Sequence, residues 1–292
     1  MNHLLSIEQL TAKEIAKVLA LSKKLKADRG GHKAQPLRDQ TWALIFTKAS
    51  TRTRVSFDVG IRELGGESIY LAGNEIQMGR GETVADTARV LSRYVHGAVI
   101  RTFAQQDLVD FARSGSIPVI NALTDDEHPC QILADLFTIT EKIGKLAGRK
   151  VCFIGDGACN VARSWIAAAA KLDMDLRIAA PKQCQPASAP SARVTDNIAT
   201  AARDAEVVYT DVWVSMGKEA EAAERARILA PYQINAGVLK HARPGALVMH
   251  CLPAYRGKEI TADVFEAHQQ DIFDQAENRL HVQKAILTLL VR

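Results

Sequence analysis

Short apolar runs alternate with helix-length amphipathic segments along this chain, and the alternation starts over near its middle. Runs at 42–46, 68–71, 98–101 and 117–121 are separated by stretches with helical spacing. A second series follows at 150–154, 176–180, 207–210 and 246–249. Strands joined by helices at such intervals dictate parallel sheets, because a parallel crossover needs a helix-length connection. The expected fold class is therefore α/β, with two domains, each a parallel sheet flanked by helices. A chain of 292 residues suits two cores better than one. The predicted boundaries are a first domain over 1–128, a linking helix over 129–147, a second domain over 148–275 and a C-terminal helix over 276–292. Residues 272–273 read as one more short strand, 183–193 as a Pro/Ser/Ala-rich loop and 211–227 as a long polar loop. Thr11-Ala-Lys-Glu14 is a capping box that opens the first helix, and Thr83-Val-Ala-Asp86 resembles another.

Charge and cysteine usage narrow the classes of function. The net charge of +4 is small and spread out, with no basic stripe carrying interleaved aromatics, so nucleic acid is not an expected partner. The five cysteines are odd in number and scattered, without a CxxC pair. That usage fits reduced thiols in a cytoplasm and argues against a disulfide framework or a structural zinc site. The N-terminus lacks a charged segment followed by an apolar one, and no apolar run is long enough to span a bilayer, so no membrane partner is expected. A cytoplasmic protein without metal or cofactor is the expectation.

In open α/β sheets, ligands bind beyond the carboxyl ends of the strands. The notable polar residues fall at such ends: Ser50-Thr51-Arg52-Thr53, Arg101, His128 with Gln131, Asn160, Asp211 and Cys251. Ser50 to Thr53 sit where a strand turns into a helix. One reading is a plain Ser N-cap with solvated arginines. The other is an anion site, in which a helix N-terminus, two hydroxyls and a guanidinium aim donors at one point. Arg52 and Arg101, with Arg279 near the start of the last predicted helix, are suited to converge on one dianion. Gly155-Asp156-Gly157 after an apolar strand first suggests a dinucleotide fold. It fails, because Asn160 occupies the third glycine position and the next strand ends without an acid to hold a ribose. His128 reads either as a cap or core histidine, or as a ligand kept beside Gln131 by Pro129 at the first helical position. Cys251 reads as a buried hydrophobe or a site residue, and Asp211 as a loop cap or a site carboxylate.

Five separated motifs make the chain resemble the aspartate/ornithine carbamoyltransferase superfamily, and within it the ornithine carbamoyltransferase family. They are Ser50-Thr51-Arg52-Thr53, His128-Pro129-Cys130-Gln131, Asp211-Val-Trp-Val-Ser215-Met216-Gly217, His250-Cys251-Leu252-Pro253 and the segment from Ala276 through Arg279 and Gln283. They span essentially the whole chain and keep the family's order. The resemblance implies transfer of the carbamoyl group of carbamoyl phosphate to the δ-amine of L-ornithine, giving citrulline and phosphate, and a C-terminal helix that returns to the first domain. It implies that Ser50, Thr51, Arg52 and Thr53 cradle the phosphate and that Arg101 reaches phosphate and carbamoyl oxygen. His128 and Gln131 become carbamoyl ligands, Gln77 enters the site of a neighbouring subunit, and Arg279 closes the carbamoyl phosphate site. Asn160 and the Met216 backbone become ligands of the ornithine carboxylate, Asp211 and Ser215 partners of its α-amino group, and Cys251 with Leu252 neighbours of the attacking amine. The implied assembly is a homotrimer or a set of trimers with active sites at subunit interfaces. Arg101, His128, Asp211 and Cys251 are the implied catalytic set.

The chain departs from the family pattern at Cys159, where an Asn is usual, at Tyr255, where His is common, and at Ala49. Rival readings are a carbamoyltransferase for acetylornithine, putrescine or aspartate, and a non-catalytic paralogue that binds carbamoyl phosphate. Biosynthetic and catabolic enzymes share these motifs, so both arginine biosynthesis and the arginine deiminase route remain open at this point.

Overall fold

The computed structural model describes residues 1–31, 34–73, 76, 81–214 and 219–291. The chain divides into two compact units: Met1–Phe137 with Arg279–Arg292, and Thr138–Asn278. Both crossings between units fall inside helices rather than in loops. The end of the C-terminal helix therefore belongs to the first unit.

In the first unit, α1 (Ala12–Ala27) precedes β1 (Thr41–Phe46), α2 (Thr51–Glu63), β2 (Glu67–Ala72), α3 (Val84–Leu91), β3 (Gly97–Arg101), α4 (Gln105–Ser114) and β4 (Val119–Leu123). The four strands are parallel, in the order β2-β1-β3-β4. Alternate residues of a strand face opposite sides of its sheet. Ala43, Ile45, Ala98 and Ile100 pack with Ala88 of α3 and with Leu108 and Phe111 of α4. Trp42 is fully buried and lies so close to Gly97 that a side chain there would collide with the indole, which accounts for glycine at the start of β3. The N-terminal residues cover the outer edge of β4: Leu4 N donates to Val119 O at 2.8 Å and its carbonyl accepts from Asn121 N at 2.7 Å.

The second unit continues α5 (Pro129–Ile143) into β5 (Lys150–Ile154), α6 (Asn160–Leu172), β6 (Asp175–Ala179), β7 (Ala192–Thr195), α7 (Ile198–Ala202) and β8 (Val207–Thr210). There follow α8 (Ala222–Leu229), α9 (Ala236–Leu239), β9 (Leu247–His250), α10 (Ala262–Ala267) and α11 (Gln269–Leu290). Its sheet is also parallel, in the order β7-β6-β5-β8-β9. On one face Phe153 stacks on Tyr209 at 5.7 Å, and Trp165 of α6 meets Tyr209 edge-on at 5.6 Å. On the other, Cys152, Ile154, Val208 and Val248 pack with residues of α7, α9 and α10.

Four expectations need correction. Residues 272–273 are helical, not a strand: Ile272 is buried and Phe273 is 49% exposed, a contrast set by the turn of α11. That helix starts at Gln269, so Arg279 lies well inside it rather than near its start. The loop predicted over 183–193 instead carries a short 3-10 turn, Lys182–Cys184, and runs into the edge strand β7. The predicted polar loop after β8 contains α8.

Candidate functional site

Strand order turns a topology into a location. In the first unit the chain steps from β1 to β2, then returns to place β3 on the other side of β1. In the second it runs β5, β6, β7 and returns to place β8 beside β5. Crevices for ligands form where the order reverses. Ser50 to Thr53 follow β1 and Arg101 ends β3; Cys159 and Asn160 follow β5 and Asp211 follows β8. Each group sits at the switch point of its own unit.

The half-site of the first unit gathers cations. Ser50 caps α2, its Oγ accepting from Thr53 N at 3.2 Å. Arg279 donates through Nη2 to Thr53 Oγ1 at 3.0 Å and through Nη1 to Gln131 Oε1 at 2.6 Å. Gln131 Nε2 in turn donates to Asp135 Oδ1 at 2.8 Å. Arg279 Nη1 also lies 3.4 Å from His128 Nε2. A guanidinium only donates, so Nε2 accepts and the imidazole carries its proton on Nδ1. Burial, then the charges of Arg279 and Arg101, hold His128 well below its usual range, which keeps it neutral. Arg101 is pulled down to about 10 by burial and then by the charges of Arg279 and Arg52. Among the described residues, its buried Nε has no hydrogen-bond partner. A shift of that kind in an arginine means that positive charge has been concentrated where burial already penalises it. Such a cluster suits a dianion.

One residue here gave no signal in the sequence. Lys48 is buried, with its ammonium paired to Asp125 and 4.2 Å from the ring centroid of Phe103. Lys48 and these two partners stand on the segments after β1, β3 and β4. Asp125 N also donates to Phe103 O at 2.9 Å, and Thr47 N to Arg101 O at 2.9 Å. Lys48 thus ties together the three connections that carry Ser50 to Thr53, Arg101 and His128. Its ion-pair partner lies 77 residues away in sequence, which is why no local pattern disclosed it.

The half-site of the second unit gathers an acid and two thiols. Asp211 is buried, and its Oδ1 accepts from Val212 N at 2.7 Å and from Cys251 Sγ at 2.8 Å. Burial raises its carboxyl above the usual range, against the hydrogen bond from Cys251. Cys159 caps α6, its sulfur accepting from Ala162 N at 3.4 Å. Burial, then the charges of Asp211 and Asp156, push its thiol well above the usual range. Sulfur therefore serves as the helix cap, a local role in which a weak acceptor suffices. Asn160 Oδ1 accepts from Val161 N at 2.9 Å, which orients the amide. Asp156 pairs with Arg225, and Arg225 Nε donates to Trp213 O at 2.8 Å, so the segment after β8 is tied to the turn after β5. Leu252 adopts φ +59, a left-handed conformation rare for a branched residue. Gln77, Ser215 and Met216 lie outside the described residues. Among the described residues no three His, Cys, Asp or Glu side chains gather as a metal site, and no helix is long and apolar enough to cross a membrane.

Two parallel α/β units, one with a buried cluster of cations at its switch point and the other with a buried acid at its own, are suited to ligands of opposite charge. The chain belongs to the aspartate/ornithine carbamoyltransferase family. The profile of that family's carbamoyl-P binding domain matches residues 2–141, and that of its Asp/Orn binding domain matches residues 147–290. An ornithine carbamoyltransferase of Akkermansia muciniphila is 53% identical over 299 residues, covering 99% of this chain and 98% of the relative. The solved structure of an ornithine carbamoyltransferase from Pyrococcus furiosus superposes with a TM-score of 0.94 at 45% identity, covering 99% of this chain and 97% of that one. An anabolic ornithine carbamoyltransferase from Campylobacter jejuni superposes at 0.93 with 38% identity, covering 99% of each chain.

Proposed function

We propose that this protein transfers the carbamoyl group of carbamoyl phosphate to the δ-amine of L-ornithine, releasing citrulline and phosphate. The observation that carries the reading is the cluster of Arg52, Arg101, Arg279 and neutral His128, in which burial and then the charges of Arg279 and Arg52 depress Arg101 to about 10. An incoming dianion relieves that repulsion.

In this reading the helix N-terminus at Ser50 to Thr53 and the arginines hold the phosphate. Arg101, the Nδ1 proton of His128 and the hydroxyl of Thr53 donate to the carbamoyl oxygen. Thr53 Oγ1 already accepts from Arg279, which turns its own proton outward to donate. These donors stabilise the oxyanion formed when the amine attacks the carbamoyl carbon. The bond from carbon to the phosphate oxygen then breaks, phosphate leaves with the electron pair, and the proton lost by the amine balances the charge on phosphate. Gln131, Leu252 and Gln77 complete the carbamoyl contacts. Asn160 and the Met216 backbone hold the ornithine carboxylate, and Asp211 and Ser215 its α-amino group. Cys251, tied to Asp211, positions the δ-amine. An alkyl amine of this type has a pKa of about 10 and must be bound or made neutral before it attacks. Orientation of two bound substrates supplies much of the remaining rate.

The biosynthetic direction is the one we assign, in line with the anabolic Campylobacter neighbour. We assign a trimer, or an assembly of trimers, in a cytoplasm, in keeping with the motif resemblance and with five thiols outside any disulfide. A colorimetric citrulline assay with ornithine, acetylornithine, putrescine and aspartate tests the substrate. Ornithine should exceed each rival by about a hundredfold or more, as expected when a wrong substrate leaves buried polar groups of the site unpaired. Equal turnover of any other amine overturns the assignment. Light scattering coupled to gel filtration tests the trimer.

A further inference from the structure

We infer that His250 and Glu259 form a buried positioning pair that fixes the corner carrying Cys251 and Leu252, and so sets the approach of the acceptor amine. The inference rests on the reading above for what the corner does, but not for what holds it.

A leucine at φ +59 is strained in any L-peptide and persists only where its surroundings dictate it. The surroundings here are specific. Leu252 N donates to His250 Nδ1 at 2.8 Å. That acceptor places the imidazole proton on Nε2, which faces Glu259 Oε1 at 3.2 Å. The same Oε1 accepts from Tyr255 N at 2.5 Å. The pair therefore grips the corner on both sides of Pro253 and Ala254, through backbone N–H groups alone. Both side chains are wholly excluded from solvent. Each is also anchored to the core: His250 N donates to Gln275 Oε1 at 2.9 Å, and Glu259 O accepts from Ile234 N at 2.8 Å. Ile234 and Ile260 are fully buried.

An ordinary hydrophobic pair would fill this volume without desolvating a carboxylate and an imidazole. Here the polar pair satisfies two corner N–H groups that no regular element serves. Directly before them, between His250 and Leu252, stands Cys251, whose thiol donates to Asp211. The arrangement does not depend on the side chain at Tyr255. The pair uses the backbone N–H of that residue, while its side chain is 49% exposed and lies 5.0 Å from the Lys258 ammonium.

The test compares Glu259→Leu, Glu259→Gln and His250→Leu in the full-length protein. Cys251 is the one cysteine that is not buried, so labelling by a thiol reagent, located by mass spectrometry, reads the corner directly and independently of turnover. Glu259→Leu and His250→Leu should speed Cys251 labelling about tenfold and lower kcat/KM for ornithine about a hundredfold, with carbamoyl phosphate affinity changed by less than about threefold. Glu259→Gln keeps an oxygen that can accept both bonds and should stay within about threefold of the parent in each measurement. If the leucine variants do not fold, His250→Asn decides. Its amide oxygen preserves the bond to Leu252 N while its contact with Glu259 is lost, so labelling should rise and the ornithine KM with it. Parental labelling and KM in a folded Glu259→Leu or His250→Asn, or equal damage in Glu259→Gln and Glu259→Leu, overturns the pair as a positioning device. A parent protein that forms no citrulline would instead refute the reaction, leaving the labelling result to judge the corner.

Discussion

The two units solve opposite electrostatic problems with the same topology. Each places its polar residues at the switch point of a parallel sheet, and each puts charge where burial penalises it. In the first unit the charge is positive, with Arg101 and His128 both lowered by burial and by neighbouring guanidiniums. In the second it is negative, with Asp211 raised by burial and Cys159 raised further by Asp211 and Asp156. The signs match the proposed ligands, a phosphate dianion and an amino acid carrying cationic amines. The support differs too. The cations are held by one long helix and by Lys48, whereas the acid is held by a thiol and by a corner fixed to His250 and Glu259. A scaffold of one type therefore serves either charge, provided the connections after its strands supply the restraint.

Removing the charge at each switch point tests that contrast at its largest. Arg101→Met should lower kcat by about a thousandfold, the scale of losing a donor to a developing oxyanion. It should leave the melting temperature unchanged or raised, because a buried cation in a like-charged cluster is removed. Asp211→Asn should lower kcat/KM for ornithine by about a hundredfold, the worth of a hydrogen bond to a charged group. Carbamoyl phosphate affinity, measured by calorimetry, should stay at the parental value. A loss of stability in both variants would show that these charges hold the fold rather than await ligands.

The parts of the molecule legible in its sequence are those where one physical effect dominates. Strands β1, β3 and β5 are buried on both faces and read as continuous apolar runs, as strands of a parallel sheet do. Strand β7 is an edge strand, half-buried and polar, and carries no such run. The start of α11 was hidden because Ile272-Phe273 mimics a short strand among acidic residues, although only Ile272 enters the core. In the site, Arg101, His128 and Arg279 were visible because their chemistry and position coincide. Lys48, Arg225 and Glu259 were not. Lys48 and Arg225 act through partners 77 and 69 residues away, and Glu259 through the His250 ring and one backbone N–H, which any residue at 255 other than proline provides.

Lys48 offers a smaller and more selective test of what restrains the cationic side. Lys48→Met keeps most of the apolar stem while removing the ion pair and the cation–π contact. Asp125 is 58% exposed on its side chain and can be solvated by water once unpaired, so little stability should be lost. The KM for carbamoyl phosphate should rise about tenfold, the equivalent of about 1–2 kcal/mol from a desolvated cation–π contact and the order it imposes. The KM for ornithine should not move. Equal changes in both constants would mean that Lys48 supports the unit generally rather than the three connections around the anion.

The finest distinction between the half-sites lies in how stability responds to pH. His128 is held well below 6.5 in the folded protein, whereas the unfolded chain binds a proton as pH falls through that value. Its contribution to stability is fully present above 6.5 and is lost as pH drops from there toward the lower folded value. Asp211 has the opposite sign: its carboxyl is raised above 3.8, so its contribution is present below 3.8 and is lost as pH rises through the folded value. Urea unfolding of the parent between about pH 5 and 7 should therefore show stability rising with pH by up to about 1.4 kcal/mol per unit from His128. His128→Asn should flatten that slope by about one proton, while Asp211→Asn should leave the His128 slope in place and raise stability near neutrality. An unchanged slope in His128→Asn would mean that the imidazole is not kept neutral by the arginines around it, and the role given to its Nδ1 proton would fall with that result.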